Sequence, residues 1–216
     1  MTDNRSRLPI AREGFRVIAL ACALPLLFWL AGWPILTVVT LALALFVVSF
    51  FRDPERRPPD DPRAIIAPAD GRVIKVAEVT DDRFLRGPAR LVSIFMSPLN
   101  VHVNRNPVSG RVVDIRYNAG KYLRAFADKA SLDNEQNAIV MDDAGGRRLC
   151  FVQIAGFIAR RIVCHVAVGD EVRRGERCGM IMFGSRVDIY LPPDTDVCAE
   201  VGQRTRAGES VIARWP

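Results

Sequence analysis

Between Phe15 and Phe51 the chain carries one charge, Arg16, in an otherwise apolar run of Val, Ile, Leu, Ala, Phe and Trp. That run is too long for a signal-peptide core and lacks a small-residue cleavage site, so it reads as a membrane segment. One span takes about 20 apolar residues, which makes the run long for one helix and short for two full crossings. Gly32-Trp33-Pro34 interrupts it, because Pro34 lacks an amide donor and disfavours a helical Trp33. Arg5, Arg7, Arg12 and Arg16 precede or open the run and Arg52, Arg56, Arg57 and Arg63 follow it. Cytoplasmic flanks are the ones enriched in Arg and Lys, so both ends are expected on the cytoplasmic side of an inner membrane. The expectation is a tail over 1–14 and a helical hairpin over 15–51, with helices near 17–31 and 35–51. One long tilted helix is the alternative.

The formal charge of +6 and a pI near 9.4 invite a nucleic-acid reading. Only three of the basic residues are Lys, and there is no basic-aromatic cluster, so no nucleic-acid partner is expected. Extra Arg suits a domain facing anionic lipid headgroups. Cys22 lies in the apolar run, while Cys150, Cys164, Cys178 and Cys198 include no C-x-x-C pair. This argues against zinc, and a cytoplasmic domain argues for free thiols. Residues 52–63 are charged and Pro-rich and read as an extended linker before a domain over 64–216.

That domain carries β signals: 71–76, 90–95, 110–115, 137–141 and 149–154 are short, β-branched and bounded by Gly, Asp or Pro. A turn or two of helix is expected over 123–130. Residues 67–73 and 168–176 read as half-repeats, and Gly-Asp-Glu-Val with a second Gly resembles the hairpins of lipoyl- and biotinyl-type domains. The fold class expected is mainly β, a compact barrel or sandwich with lipoyl-like hairpins behind an apolar helical hairpin.

Gly184-Ser185 is the only Gly-Ser in the chain. Most such pairs are turns. The chemistry open to this one is attack of the Ser185 hydroxyl on the unhindered carbonyl of Gly184, shifting the acyl group from nitrogen to oxygen. Ester elimination then splits the chain, and the serine remnant becomes an N-terminal pyruvoyl group. Of the two histidines, His165 stands in an apolar stretch and reads as a core or strand-face side chain, whereas His102 lies in a polar segment after a strand. With Asp70 in an Ala-Asp-Gly turn, His102 and Ser185 supply the residue types of a base, its orienter and a nucleophile.

Pro68-Ala69-Asp70-Gly71, Asn100-Val101-His102, Asn134-Glu135, Gly175-Glu176 and Phe183-Gly184-Ser185, in this order, resemble the phosphatidylserine decarboxylases, in their compact bacterial form. The resemblance implies that Asp70 orients His102 and that His102 is the general base on Ser185. Cleavage would give a β chain of 1–184 and an α chain of 185–216, held together as a heterodimer, with further dimerisation left open. It further implies that the pyruvoyl group on residue 185 forms a Schiff base with the amine of a phospholipid substrate, without pyridoxal phosphate or metal. The product would be phosphatidylethanolamine, released in the membrane. Leu99 stands where the resemblance leads one to look for a second histidine, so the proton donor for decarboxylation stays unassigned. Arg186 would hold a phosphate or carboxylate, or else lie exposed at a strand start.

Two other readings compete. A tethered lipoyl- or biotinyl-like adaptor needs a modifiable Lys at its hairpin tip, yet Lys75, Lys121 and Lys129 all lie outside 168–176. A metallopeptidase needs closely spaced histidines, which His102 and His165 are not.

Overall fold

The structure, a computed structural model, describes residues 9–120, 134–156, 161–182 and 184–216. It divides into a unit ending at Glu55 and a unit from Arg56 to Pro216. The helix expected over 123–130 lies outside the described residues.

In the first unit a short 3-10 turn, Arg12–Gly14, leads into α1 (Phe15–Leu30), and a turn at 31–33 leads to α2 (Pro34–Phe50). The break falls where local chemistry asks for it. Gly32 takes a φ of 72°, open to glycine at little cost, and Pro34 begins α2, where its missing N–H would be unpaired in any case. The two ends of the unit are tied together. The Ala11 amide donates to the Phe51 carbonyl and the Asp53 amide to the Pro9 carbonyl, around an antiparallel bridge between Ile10 and Arg52. One long helix would hold those ends far apart, so the apolar run is two helices folded back. Leu20, Leu27, Trp29, Leu30, Ile35 and Val38 are all exposed on it, an apolar surface of the kind that needs an apolar covering. Among the described residues Arg12–Leu30 is long and apolar enough to cross a membrane, and Pro34–Phe50 is apolar but shorter.

The second unit is mainly β, as its composition leads one to expect. Its strands, numbered in chain order, are β1 (Ala64–Ile66), β2 (Gly71–Asp81), β3 (Gly87–Met96), β4 (Val103–Arg105), β5 (Gly110–Asn118), β6 (Gln136–Asp143) and β7 (Arg148–Ala155). They continue with β8 (Ile162–Cys164), β9 (Glu171–Val172), β10 (Arg177–Ile181), β11 (Ser185–Leu191), β12 (Asp196–Val197), β13 (Arg204–Thr205) and β14 (Val211–Arg214). A curled eight-stranded sheet has the order β13-β2-β3-β11-β7-β6-β5-β9, and two three-stranded sheets, β1-β14-β12 and β4-β10-β8, complete the unit. Alternation along the strands sorts side chains between two faces. Leu149, Phe151 and Ala155 of β7 join the large core with Val187 and Ile189 of β11, while Cys150, Val152 and Ile154 join Tyr190 on the other side. Ile162 of β8 and Cys178 and Ile181 of β10 also pack into the large core, so the β4-β10-β8 sheet closes over that face.

An internal duplication organises the unit, and it differs from the pairing of half-repeats expected above. Pro68-Ala69-Asp70-Gly71-Arg72-Val73 corresponds to Pro107-Val108-Ser109-Gly110-Arg111-Val112, and residues 201–209 correspond to 168–176. The hydrogen bonds correspond as well. Gly202 and Gly169 donate to the carbonyls of Val73 and Val112, whose own amides donate to Gln203 and Asp170. Gly208 and Gly175 donate to the carbonyls of Ala67 and Asn106. Both turns need left-handed glycines, at φ 93° and 82° in one and 97° and 82° in the other. The segment 67–73 is therefore the strand-entry half of the motif, and 201–209 is its hairpin half.

Residues 56–62 have no regular structure but are strapped to the β unit. Arg56 pairs with Asp70 and Glu209, and Arg214 pairs with Asp61. The guanidinium of Arg174 donates to the carbonyls of Pro59, Asp61 and Ala64.

Candidate active site

Ser185 opens β11, between β3 and β7 in the middle of the large sheet. Its register partners are Met96 on one side and Ala155 on the other. The preceding Gly184 has φ 57°, a left-handed conformation that an L-side chain adopts only at a cost, and open space surrounds the position where a Cβ would sit. The Gly184 carbonyl thus stands at a kink, directly before a strand fixed on both sides. The side chain of Ser185 is fully buried, and its hydroxyl donates to the thioether sulfur of Met96 at 3.3 Å.

A buried polar chain leads to the same sulfur. Asn137 donates to Gln153 at 3.0 Å, Gln153 to Asn104 at 2.9 Å, and Asn104 to Met96 Sδ at 3.7 Å. Four elements, β6, β7, β4 and β3, each contribute one member. Polar groups so deep in an apolar core are tolerated because they satisfy one another, and a satisfied network holds its members in fixed rotamers. The sequence carries a trace of this chain: Gln153 is a neutral polar residue at an inward-facing position of a largely apolar strand.

His102 is fully buried and immediately precedes β4. Its Nδ1 hydrogen-bonds the carbonyl oxygen of Asn100 at 2.9 Å. A carbonyl only accepts, so Nδ1 carries the hydrogen and Nε2 bears the lone pair of the neutral ring. Val103 pairs with Met180, and the Ile181 amide donates to the His102 carbonyl. This pairing holds His102 beside residue 181, four positions before Ser185.

Asp70 sits in the Ala-Asp-Gly turn that the sequence suggested, and it is buried there. Its Oδ1 accepts from the Ala207 amide at 2.7 Å and its Oδ2 from Arg56 at 3.0 Å. Ser109 occupies the corresponding place in the other half-repeat, and its hydroxyl accepts from the Arg174 amide. Asp70 thus fastens its turn as Ser109 fastens the other. The same turn reaches β4 through the Pro68 carbonyl, which accepts from the Arg105 amide at 2.9 Å.

Arg186 is neither exposed nor aimed with Ser185. It lies on the opposite face of β11, where its guanidinium grips Asp188 through two hydrogen bonds of 2.6 Å, both side chains being buried. On that face the Tyr190 hydroxyl is pushed above its ordinary pKa by burial and by the Asp188 charge, against the pull of Arg83. His165 is exposed just past β8 rather than in the core. Among the described residues no group of His, Cys, Asp and Glu is placed to hold a metal ion, and the cysteines are free thiols.

Glu135, which the sequence marked only as part of a motif, is buried one register step beyond Ala155. The Ala155 amide donates to its carbonyl, and its carboxylate Oε1 accepts from the Tyr117 hydroxyl at 2.9 Å and from the Ile162 amide.

The phosphatidylserine decarboxylase family model matches residues 43–213. The chain is 53% identical over 204 residues to a phosphatidylserine decarboxylase proenzyme of Oleidesulfovibrio alaskensis, covering 94% of this chain and 93% of that one. It is 48% identical to the proenzyme of Syntrophotalea carbinolica, over 94% and 95% of the two chains, and 49% identical to that of Trichlorobacter lovleyi, over 95% and 96%. With a family model spanning most of its length and relatives of this identity along nearly all of it, the chain belongs to the phosphatidylserine decarboxylase family of lyases.

Proposed function

We propose that the chain cuts itself between Gly184 and Ser185 and then decarboxylates phosphatidylserine to phosphatidylethanolamine. The observation that carries this reading is a buried serine at the head of a central strand, behind a left-handed glycine whose carbonyl has no side chain to shield it. His102 takes the hydroxyl proton through Nε2, and Ser185 Oγ attacks the Gly184 carbonyl as the peptide C–N bond breaks. Loss of the α-hydrogen of residue 185 then expels the Gly184 carboxylate, and hydrolysis releases ammonia. Asp70 is a positioning residue: it fastens the turn whose Pro68 carbonyl holds β4, and so keeps His102 in place.

The residue 185 that remains fits a pyruvoyl group, since its Cα sits among small or soft neighbours, Ala155 and Met96. Its ketone supplies an acceptor for the substrate amine and for the electron pair released as carbon dioxide leaves. The cut chains stay associated because strands of 185–216 pair with strands of 1–184: β11 with β3 and β7, β13 with β2, and β14 with β1. The relatives' designation as proenzymes supports maturation by cleavage. The exposed apolar helices suit attachment to the cell membrane that holds the lipid, with the β unit on the cytoplasmic face.

Intact-mass measurement on purified protein tests the reading. The wild type should give fragments 1–184 and 185–216, the latter blocked to Edman degradation and carrying a reactive ketone, while Ser185→Ala should remain one folded, inactive chain. Lipid decarboxylation by a wholly uncut protein would overturn it.

A further inference from the structure

The register of the large sheet places four residues in one row at the ends of its central strands: Met96, Ser185, Ala155 and Glu135. Directly opposed residues of antiparallel strands share a face, so the Glu135 side chain lies on the face of Ser185, two strand spacings or about 10 Å away between Cα atoms. Ala155, with its small side chain, lies between them in the row. Glu135 is 4% exposed. Tyr117 and Ile162 occupy one carboxylate oxygen, while Oε2 is buried with no hydrogen-bond partner among the described residues, and none of their ion pairs includes it. A buried carboxylate oxygen left unmatched is costly, and such groups call for a functional account.

We propose that Glu135 is the catalytic residue that receives the ammonium of the substrate headgroup and takes its proton. This rests on the decarboxylase reading above. A lipid headgroup bearing an ammonium and a carboxylate brings the cation that this pocket lacks. Only the neutral amine, with a free lone pair, is nucleophilic toward a ketone at residue 185. One N–H bond breaks and one Oε2–H bond forms, with no change in total charge. The acid so formed returns the proton to the carbon that loses carbon dioxide, which restores the carboxylate and fills the donor role left open by Leu99. The Tyr117 hydroxyl and Ile162 amide fix Oε1, so that Oε2 is the oxygen turned to the substrate.

The experiment compares wild type, Glu135→Gln and Glu135→Asp by three readouts: precursor conversion on gels, ketone content with a carbonyl-reactive hydrazine, and reductive trapping. In the last, phosphatidylserine vesicles and cyanoborohydride are added and the mass of the 185–216 fragment is measured. Glu135→Gln should convert and carry the ketone as the wild type does, because His102 serves that step. Its trapped adduct at neutral pH should fall at least tenfold and recover at alkaline pH, where the amine is free without help. Glu135→Asp should lie between. Trapping by Glu135→Gln within twofold of wild type at neutral pH would overturn the proposal. So would failure of both variants to convert, which would assign the residue to folding or self-cleavage. Absence of the ketone in the wild type would instead strike the decarboxylase maturation scheme itself.

Discussion

The carbonyl oxygen of Asn100 holds Nδ1 of His102 at 2.9 Å, and this contact sets which ring nitrogen is basic. Because it comes from the backbone two residues away, no side-chain substitution nearby removes it. His102→Ala deletes the base together with this one hydrogen bond. Conversion of the precursor should slow by about 10²–10⁴-fold, the usual contribution of a positioned acid–base group, while circular dichroism stays that of the wild type. Normal conversion in folded His102→Ala would remove the residue from the mechanism.

Asp70 and Ser109 offer an internal control, since they fasten equivalent turns, but Asp70 is buried and its turn meets the backbone of β4 through the Pro68 carbonyl, whereas Ser109 is exposed in the turn that follows β4. Asp70→Asn should cost about 1–3 kcal/mol of stability, the range for disturbing a buried hydrogen bond, and Ser109→Ala, whose hydrogen bond is exposed, about 1 kcal/mol or less. Thermal melts of the full-length protein in detergent measure this. Asp70→Asn should also slow conversion, though less than His102→Ala does, whereas Ser109→Ala should leave it unchanged. Equal conversion rates in the two variants would reduce Asp70 to a purely structural residue.

Gly184→Ala separates backbone conformation from steric room. An added Cβ meets nothing within 4 Å, so any effect arises from the left-handed φ of 57° and from hindrance at the carbonyl itself. The strained conformation costs about 1 kcal/mol or more, enough to move the scissile bond toward an extended arrangement. Conversion should slow roughly tenfold, where 1.4 kcal/mol corresponds to a factor of ten, while the melting temperature falls by no more than about 4 °C. A wild-type time course on gels would remove the kink from the account.

Much of this was legible in the chain, for reasons that differ from residue to residue. The break at Gly32-Trp33-Pro34 and the strands β2, β3, β5, β6 and β7 follow from local chemistry, which the sequence displays directly. Ser185, His102 and Asp70 were legible as residue types in a familiar order, and their burial was not. The environment of Arg186 was hidden because alternation along β11 turns it away from Ser185, and the start of β11 carries no turn signal beyond Gly184 itself. The duplication was visible in principle, as Pro-x-x-Gly-Arg-Val twice and Val-Gly-x-x-x-Arg-x-Gly-Glu twice. The pairing of 67–73 with 168–176 missed it because those segments are two complementary halves of one motif. Glu135 depends on long-range register, through Ala155 to Ser185, which no local pattern encodes.

The cysteines should divide by burial. Burial pushes the thiols of Cys150 and Cys178 well above their ordinary pKa, with the nearby Asp81 and Cys164 respectively adding to it. The thiolate is the reactive form, so both should resist maleimide in the native protein at neutral pH and react only on unfolding. Cys198 is exposed and should be modified at once. Peptide mapping after a short pulse checks the order, and early modification of Cys178 would contradict its buried place in β10.

The Arg186–Asp188 pair supplies the last prediction, because its two members sit two residues apart on one strand with both charges out of water. Removing one partner takes two charge-assisted hydrogen bonds from a charge that stays buried, which typically costs about 3–5 kcal/mol. Arg186→Met alone and Asp188→Leu alone should each lower the melting temperature markedly. The double variant removes both charges and puts apolar volume against Ile154 and Val152, which belong to the core on that side. It should recover most of the lost stability, since apolar replacement of a buried pair is often close to neutral. The same variant tests whether this face takes part in chemistry, because Ser185 points the other way. If the pair is structural, the recovered double variant converts its precursor and decarboxylates lipid near the wild-type rate. Full stability together with lost decarboxylation would instead return Arg186 to the list of groups that meet the substrate.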